Sequence, residues 1–168
     1  APLIVGVTRE TFAGEHRVSI TPGDLGSLKK AGIEVLVEPG AGASAGFLDE
    51  AYVEQGAEIA ADRDDVFSRA NVIVQVRALG ANSDAGGDDV AKLREGQCLI
   101  ASCDPLSAPD AFGDVAARKA TAFALELVPR ITRAQSMDVL SSMATIAGYK
   151  AVLMAASELP RMFPMMMT

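Results

Sequence analysis

Arg130, Gln135, Asp138 and Ser141 stand close together in the segment 128–152, where a polar loop follows an apolar run and opens a long helical pattern rich in small residues. An arginine and an aspartate across a bend can pair with each other or orient a ligand through charge-assisted hydrogen bonds. Glutamine offers both a donor and an acceptor, which suits a carboxamide or a ribose hydroxyl. Ser136 or Asp138 is placed to cap the helix that follows, whose positive end favours negative charge. A capped turn needs one such residue, and this loop has several polar groups competing to point outward. It reads as a ligand loop.

Other polar groups are weaker signals. Arg9, Glu10, Glu15, His16 and Arg17 form a charged stretch directly after the first apolar run. Arg17 either faces an anionic ligand, orders a neighbouring loop, or is one solvated loop charge among several. His16 reads as an exposed loop histidine. Arg77 and Asp104 each follow a strand pattern, and so form either a cleft pair at neighbouring strand ends or two loop charges.

Gly40, Gly42 and Gly46 mimic a dinucleotide fingerprint, but the third glycine is one residue late for G-x-G-x-x-G. The acids about twenty residues on, where a ribose-binding acid belongs, are Asp62, Asp64 and Asp65. They sit where a helix begins, not where a strand ends, so a tight surface turn is the better reading. Cys98 and Cys103 cannot assemble a zinc set with the single distant histidine. They are expected to be buried thiols in a reducing cytoplasm.

The elements that must position these residues follow from the apolar pattern. Short β-branched runs at 3–7, 34–38, 72–76, 98–101 and 122–125 alternate with helical stretches near 22–31, 50–55, 64–70, 88–94 and 108–119. Strands apolar on both faces predict a parallel sheet covered by helices. The fold class is α/β: a doubly wound, mostly parallel sheet of flavodoxin or Rossmann type, ending in a long linking helix over 139–156. Thr21, Pro22 and Gly32 punctuate the first helix as cap, first turn and left-handed stop. The segment 79–89 is expected to be a polar, glycine-rich loop. Ligands in such sheets bind beyond the carboxyl ends of the strands, where the loop after residue 125 lies.

The chain has 168 residues, of which 49% are hydrophobic and 22% charged, and a net charge of −7. That charge, with no basic block, excludes a nucleic-acid surface. The amino terminus has no signal-peptide pattern. The run 139–156 contains Lys150, serines and small residues, so it reads as a buried or interface helix and no direct membrane insertion is expected. The terminal run 162–167, with its methionines, needs a covering partner, which suggests a fragment of a larger protein or a subunit of one.

Taken in order, Gly6-Val7-Thr8-Arg9-Glu10, the segment 15–22, Gly40-Ala41-Gly42 and the stretch 130–152 resemble the alanine dehydrogenase and nicotinamide nucleotide transhydrogenase family, in its N-terminal region. Arg130, Gln135 and Asp138 are similar to the arginine, glutamine and aspartate of the transhydrogenase nicotinamide loop, and Ser141 matches a further contact. The alanine dehydrogenases hold their amino acid through an arginine at the place of Arg17, a lysine and a histidine. Arg77 and Asp104 stand at the last two places here. An arginine does not readily exchange a proton and an aspartate poorly replaces an imidazole, so the transhydrogenase branch is favoured.

The resemblance implies an N-terminal α/β domain over 1–137 and a linking helix over 138–168, with the Rossmann domain that carries the NAD fingerprint lying beyond. It implies a proton-translocating transhydrogenase that uses NAD(H) here and NADP(H) on a partner component. Arg130, Gln135 and Asp138 would carry the chemistry by orientation, and Arg130, Ile131, Thr132, Gln135, Asp138 and Ser141 would contact the cofactor. Expected partners are the NADP-binding and membrane-spanning components and a second copy in a homodimer. The expected location is the cytoplasmic face of the inner membrane. An alanine dehydrogenase-like domain and a non-catalytic assembly domain are the alternatives.

Overall fold

The alternating pattern becomes a six-stranded, all-parallel sheet in a computed structural model, which describes residues 2–162. Its strands are β1 (Leu3–Val7), β2 (Ile33–Val37), β3 (Glu58–Ile59), β4 (Val72–Arg77), β5 (Cys98–Ser102) and β6 (Thr121–Ala124), in the spatial order β3-β2-β1-β4-β5-β6. The helices are α1 (Leu25–Lys30), α2 (Asp49–Glu54), α3 (Arg63–Arg69), α4 (Gly86–Lys92), α5 (Ala111–Ala117) and α6 (Val139–Glu158). The expected strands are all present within a residue or so. Only β3 escapes the pattern, because two residues, Glu58 and Ile59, are too short to show a period. The chain divides into two compact units, Ala1–Leu125 and Glu126–Thr168.

Two cores build the first unit. On one face, Leu36, Ile73, Leu99 and Ala101 pack against Val66 and Phe67 of α3, Val90 of α4 and Val115 of α5. On the other, Val7, Val35 and Val37 pack against Leu25 of α1 and Tyr52 of α2. Tyr52 is fully buried and donates its hydroxyl to the Ile20 carbonyl at 2.9 Å; burial pushes its phenol up to about 12. Gly6 lets α3 sit directly on β1: a Cβ there would lie 2.6 Å from Val66 Cγ1 and 2.8 Å from Ala70 Cβ.

The sheet reverses winding direction between β1 and β4, so their carboxyl ends define the crevice where loops diverge. Gly32 takes the expected left-handed conformation after α1, with φ +75°. The segment 79–89 is not one loop. A 3-10 turn spans Leu79–Ala81, α4 begins at Gly86, and Leu79 and Asp89 are buried. A Cβ at Gly86 would lie 2.6 Å from the Leu79 carbonyl oxygen. Glycine there permits close backbone approach, a use that composition alone does not separate from a mobile surface loop.

α6 runs for 20 residues and buries none of them. It is long and apolar enough to cross a membrane by length and composition. The buried alternative for this helix is therefore not how it stands in the chain. Met162 is exposed, and the remaining methionines of the run 162–167 lie outside the described residues.

Candidate functional site

In the second unit, the polar loop is a six-residue 3-10 turn, Thr132–Met137, that leads into α6. Ala134 alone is buried and anchors the turn. Arg130, Ile131, Thr132, Arg133 and Gln135 are all exposed, so the turn presents its polar groups outward. Backbone bonds from Ile131 N to Pro129 O and from Ala134 N to Ile131 O hold its entry.

Asp138 ends the turn and caps α6. Its Oδ1 accepts from Leu140 N at 3.0 Å and Ser141 N at 2.9 Å, and its Oδ2 accepts from the Ser141 hydroxyl at 2.6 Å. Among the described residues no ion pair joins Arg130 to Asp138, so the carboxylate is committed to the helix end and the guanidinium acts on it only at a distance. The Ser141 hydroxyl and its N–H, then Leu140 N–H and the charge of Arg130, hold the Asp138 carboxyl below the ordinary aspartate value. A depressed carboxyl stabilises the fold above its unfolded pKa, and that contribution is lost as pH falls through the folded value. Acidification below pH 3.8 is therefore expected to fray the start of α6, and Asp138→Ala removes this pH dependence. Circular dichroism at 222 nm checks it. Frayed helicity equal in both proteins would refute the cap.

The first unit carries a second cluster at the carboxyl edge of β1, β2 and β4. Glu38 Oε2 accepts from Arg9 N at 2.8 Å and from Arg63 Nη1 at 2.7 Å, while Nη1 also donates to the Arg9 carbonyl at 2.9 Å. Arg63 meets Asp89 side-on, Nε to Oδ1 at 2.8 Å and Nη2 to Oδ2 at 2.6 Å. Buried Gln75 bridges Asp89 to the Thr8 hydroxyl through Nε2, and its Oε1 has no hydrogen-bond partner among the described residues. Burial opposes the charge on Arg63, but Asp89 and Glu38 outweigh it and hold the guanidinium protonated. Sequence reading missed this network because Arg63 lies 25 and 26 positions from its two carboxylates and the members share no local pattern.

The neighbouring groups are committed internally. Glu10 accepts from Val76 N at 2.6 Å and Arg77 N at 3.1 Å, and burial pushes its carboxyl up against those two bonds. Arg17 binds Glu15, Nε to Oε1 at 2.7 Å and Nη2 to Oε2 at 2.5 Å, so it meets an internal carboxylate. Arg77 donates to the Ala81 carbonyl at 2.9 Å and lies 3.8 Å above the Phe12 ring. Asp104 follows β5 with φ +50°. His16 is exposed, as its loop setting suggests. Cys103 is buried and Cys98 only partly so, and neither forms a disulfide. No cluster of metal-ligating side chains occurs among the described residues.

The glycine turn is a packed turn. Gly40 N donates to both carboxylate oxygens of Asp49, at 2.9 and 3.1 Å, and a Cβ on Gly42 would lie 2.7 Å from Phe47 O and the Tyr52 ring. Asp62 caps α3, accepting from Asp65 N at 2.8 Å. The amides of Gly40, Ala41, Ala43, Ala45 and Gly46 already donate within the turn.

This arrangement has close counterparts among known proteins. The chain is 42% identical over 164 residues to the first-part polypeptide of NAD(P) transhydrogenase subunit alpha from Rhodospirillum rubrum, covering 98% of this chain and 42% of that protein. The crystal structure of transhydrogenase from Sinorhizobium meliloti superposes with a TM-score of 0.86 at 41% identity, covering 98% of this chain and 47% of that one. The alanine dehydrogenase of Bacillus subtilis is more distant, 31% identical over 159 residues, which is 95% of this chain and 39% of the enzyme. The chain therefore spans less than half the length of these relatives. Residues 6–147 match the family described as alanine dehydrogenase/PNT, N-terminal domain, and the chain belongs to that family.

Proposed function

We propose that this chain belongs to the NAD(H)-binding component of a transhydrogenase that transfers hydride between NAD(H) and NADP(H), coupled to proton translocation across a membrane. The observation that carries this reading is the loop 130–141, whose outward polar groups stand on a turn with Ala134 buried within it and the Asp138–Ser141 cap at its end. Residues 1–137 form the N-terminal domain and 138–168 the link to a nucleotide-binding domain.

The donor set fits a nicotinamide riboside. Gln135 can accept from and donate to a carboxamide, and Arg130 and Thr132 supply further donors. The Asp138 carboxylate keeps lone-pair capacity beyond its cap bonds, and the Ser141 hydroxyl, having donated inward, still accepts. Ile131, exposed beside them, supplies apolar contact. When bound, the nicotinamide ring supplies the hydride chemistry. The chain's own residues bind and orient, and none is assigned a covalent or acid–base role. Transfer between two rings needs reacting atoms about 3–3.5 Å apart, so the loop acts by fixing one of them. The partners are an NADP-binding component, a membrane-spanning component and a second copy of the subunit, at the cytoplasmic membrane face.

The test is a chimera in which residues 1–168 are followed by the portion of the Rhodospirillum rubrum relative that lies outside the match. Mixed with an NADP-binding partner, it is expected to pass hydride from NADH to an NADP analogue. Alanine-dependent NADH formation without that transfer would instead assign an amino-acid dehydrogenase.

A further inference from the structure

The turn Thr132–Met137 is a 3-10 helix, in which side chains three residues apart eclipse one another. Its residues therefore line three faces. Thr132 and Gln135 share one, Arg133 and Ser136 the next, and Ala134 and Met137 the third. Ala134 is 4% exposed and faces inward, so the other two faces look outward, and all four of their side chains are exposed. Thr132 and Gln135 belong to the donor set assigned to the nicotinamide riboside. Arg133 and Ser136 have no such role. Neither side chain enters a hydrogen bond, an ion pair or a ring contact among the described residues. Arg17, Arg63, Arg69, Arg77 and Arg94, by contrast, each hold a carboxylate or a carbonyl. On a chain of net charge −7, Arg133 is an unengaged fork with a hydroxyl on the same face.

We propose that Arg133, with Ser136 beside it, binds the pyrophosphate of a nicotinamide dinucleotide while the adjacent face of the turn holds a nicotinamide ring, a proposal that rests on the transhydrogenase reading. The chemistry of the pair selects the ligand. A planar guanidinium presents two parallel N–H groups that match two phosphate oxygens, and the hydroxyl donates a third bond. One ribose alone separates the ring of such a dinucleotide from its pyrophosphate. A turn that fixes the ring therefore leaves the phosphates within reach of a long side chain one face away. Attachment at two points sets the angle of the ring as well as its position, which hydride transfer requires. Transfer brings two dinucleotides to this turn, so the phosphate is that of NAD(H) or that of NADP(H).

The test compares Arg133→Gln with the unsubstituted chimera, each mixed with the NADP-binding partner. The substitution is expected to lower kcat/KM for hydride transfer by about tenfold, the contribution of one hydrogen bond to a charged group. Arg133→Lys keeps the charge without the fork and falls between the two. Lys30→Gln makes the same change of charge at an exposed site in the first unit and leaves the rate unchanged. Phosphate-free probes then name the source. If the phosphate is that of NAD(H), the difference vanishes when dihydronicotinamide riboside replaces NADH as donor. If it is that of NADP(H), the difference vanishes when oxidised nicotinamide riboside replaces the acceptor. A difference that persists in both arms overturns the proposal and assigns Arg133 to the shape of the turn or to the surface of the partner protein. Transfer that Arg133→Gln leaves intact sinks the phosphate proposal alone, whereas an unsubstituted chimera that passes no hydride sinks the functional reading itself.

Discussion

Gln135→Asn in the chimera is expected to lower the rate of hydride transfer by about 10- to 100-fold while leaving its far-ultraviolet spectrum unchanged. The substitution keeps the amide and withdraws it by one methylene. A misplacement of about 1 Å in a group that positions reactants can cost roughly 100-fold in rate. Gln135 is exposed on a 3-10 turn whose only buried residue is Ala134, so folding does not depend on it. Arg130→Ala is expected to act in the same direction, since its guanidinium is exposed and enters no ion pair among the described residues. Ser141→Ala removes both the proposed cofactor contact and the 2.6 Å bond to Asp138, so its loss should include helix fraying that Gln135→Asn lacks. An unchanged transfer rate for Gln135→Asn, measured by stopped-flow absorbance, removes the loop from the site.

Arg63→Leu should destabilise the first unit by about 3–5 kcal/mol, because removing one partner of a buried pair leaves the others uncompensated. Arg63 serves two carboxylates, Glu38 and Asp89, and both are buried. It also holds the Arg9 carbonyl, so the loop after β1 loses its clamp in the same step. Arg69→Leu provides the contrast. Arg69 pairs with Glu58 and Asp65 at the surface, and exposed pairs contribute about 0–1 kcal/mol. Urea unfolding of the two variants checks the ranking. The midpoint for Arg63→Leu should fall several times further, with an unchanged denaturant slope. Equal midpoints would mean that the Arg63 network contributes nothing beyond a surface pair.

Sequence by itself determined the doubly wound α/β class, five of the six strands, the stop at Gly32 and the polar loop that opens α6. These are local matters: an apolar period, a capping residue or a glycine acts within a few positions of itself, and its pattern survives in one dimension. Tertiary structure alone decided what those residues face. Glu15 meets Arg17, and Asp138 serves the helix end. Arg63 joins Glu38 and Asp89 from positions 25 and 26 residues away. Cys98 and Cys103 look alike in the sequence, yet Cys98 on β5 stays partly exposed while Cys103, just beyond the strand, is taken into the core. Charge pairing and burial depend on separation in space, and the order of strands across the sheet sets that separation only once the chain has folded.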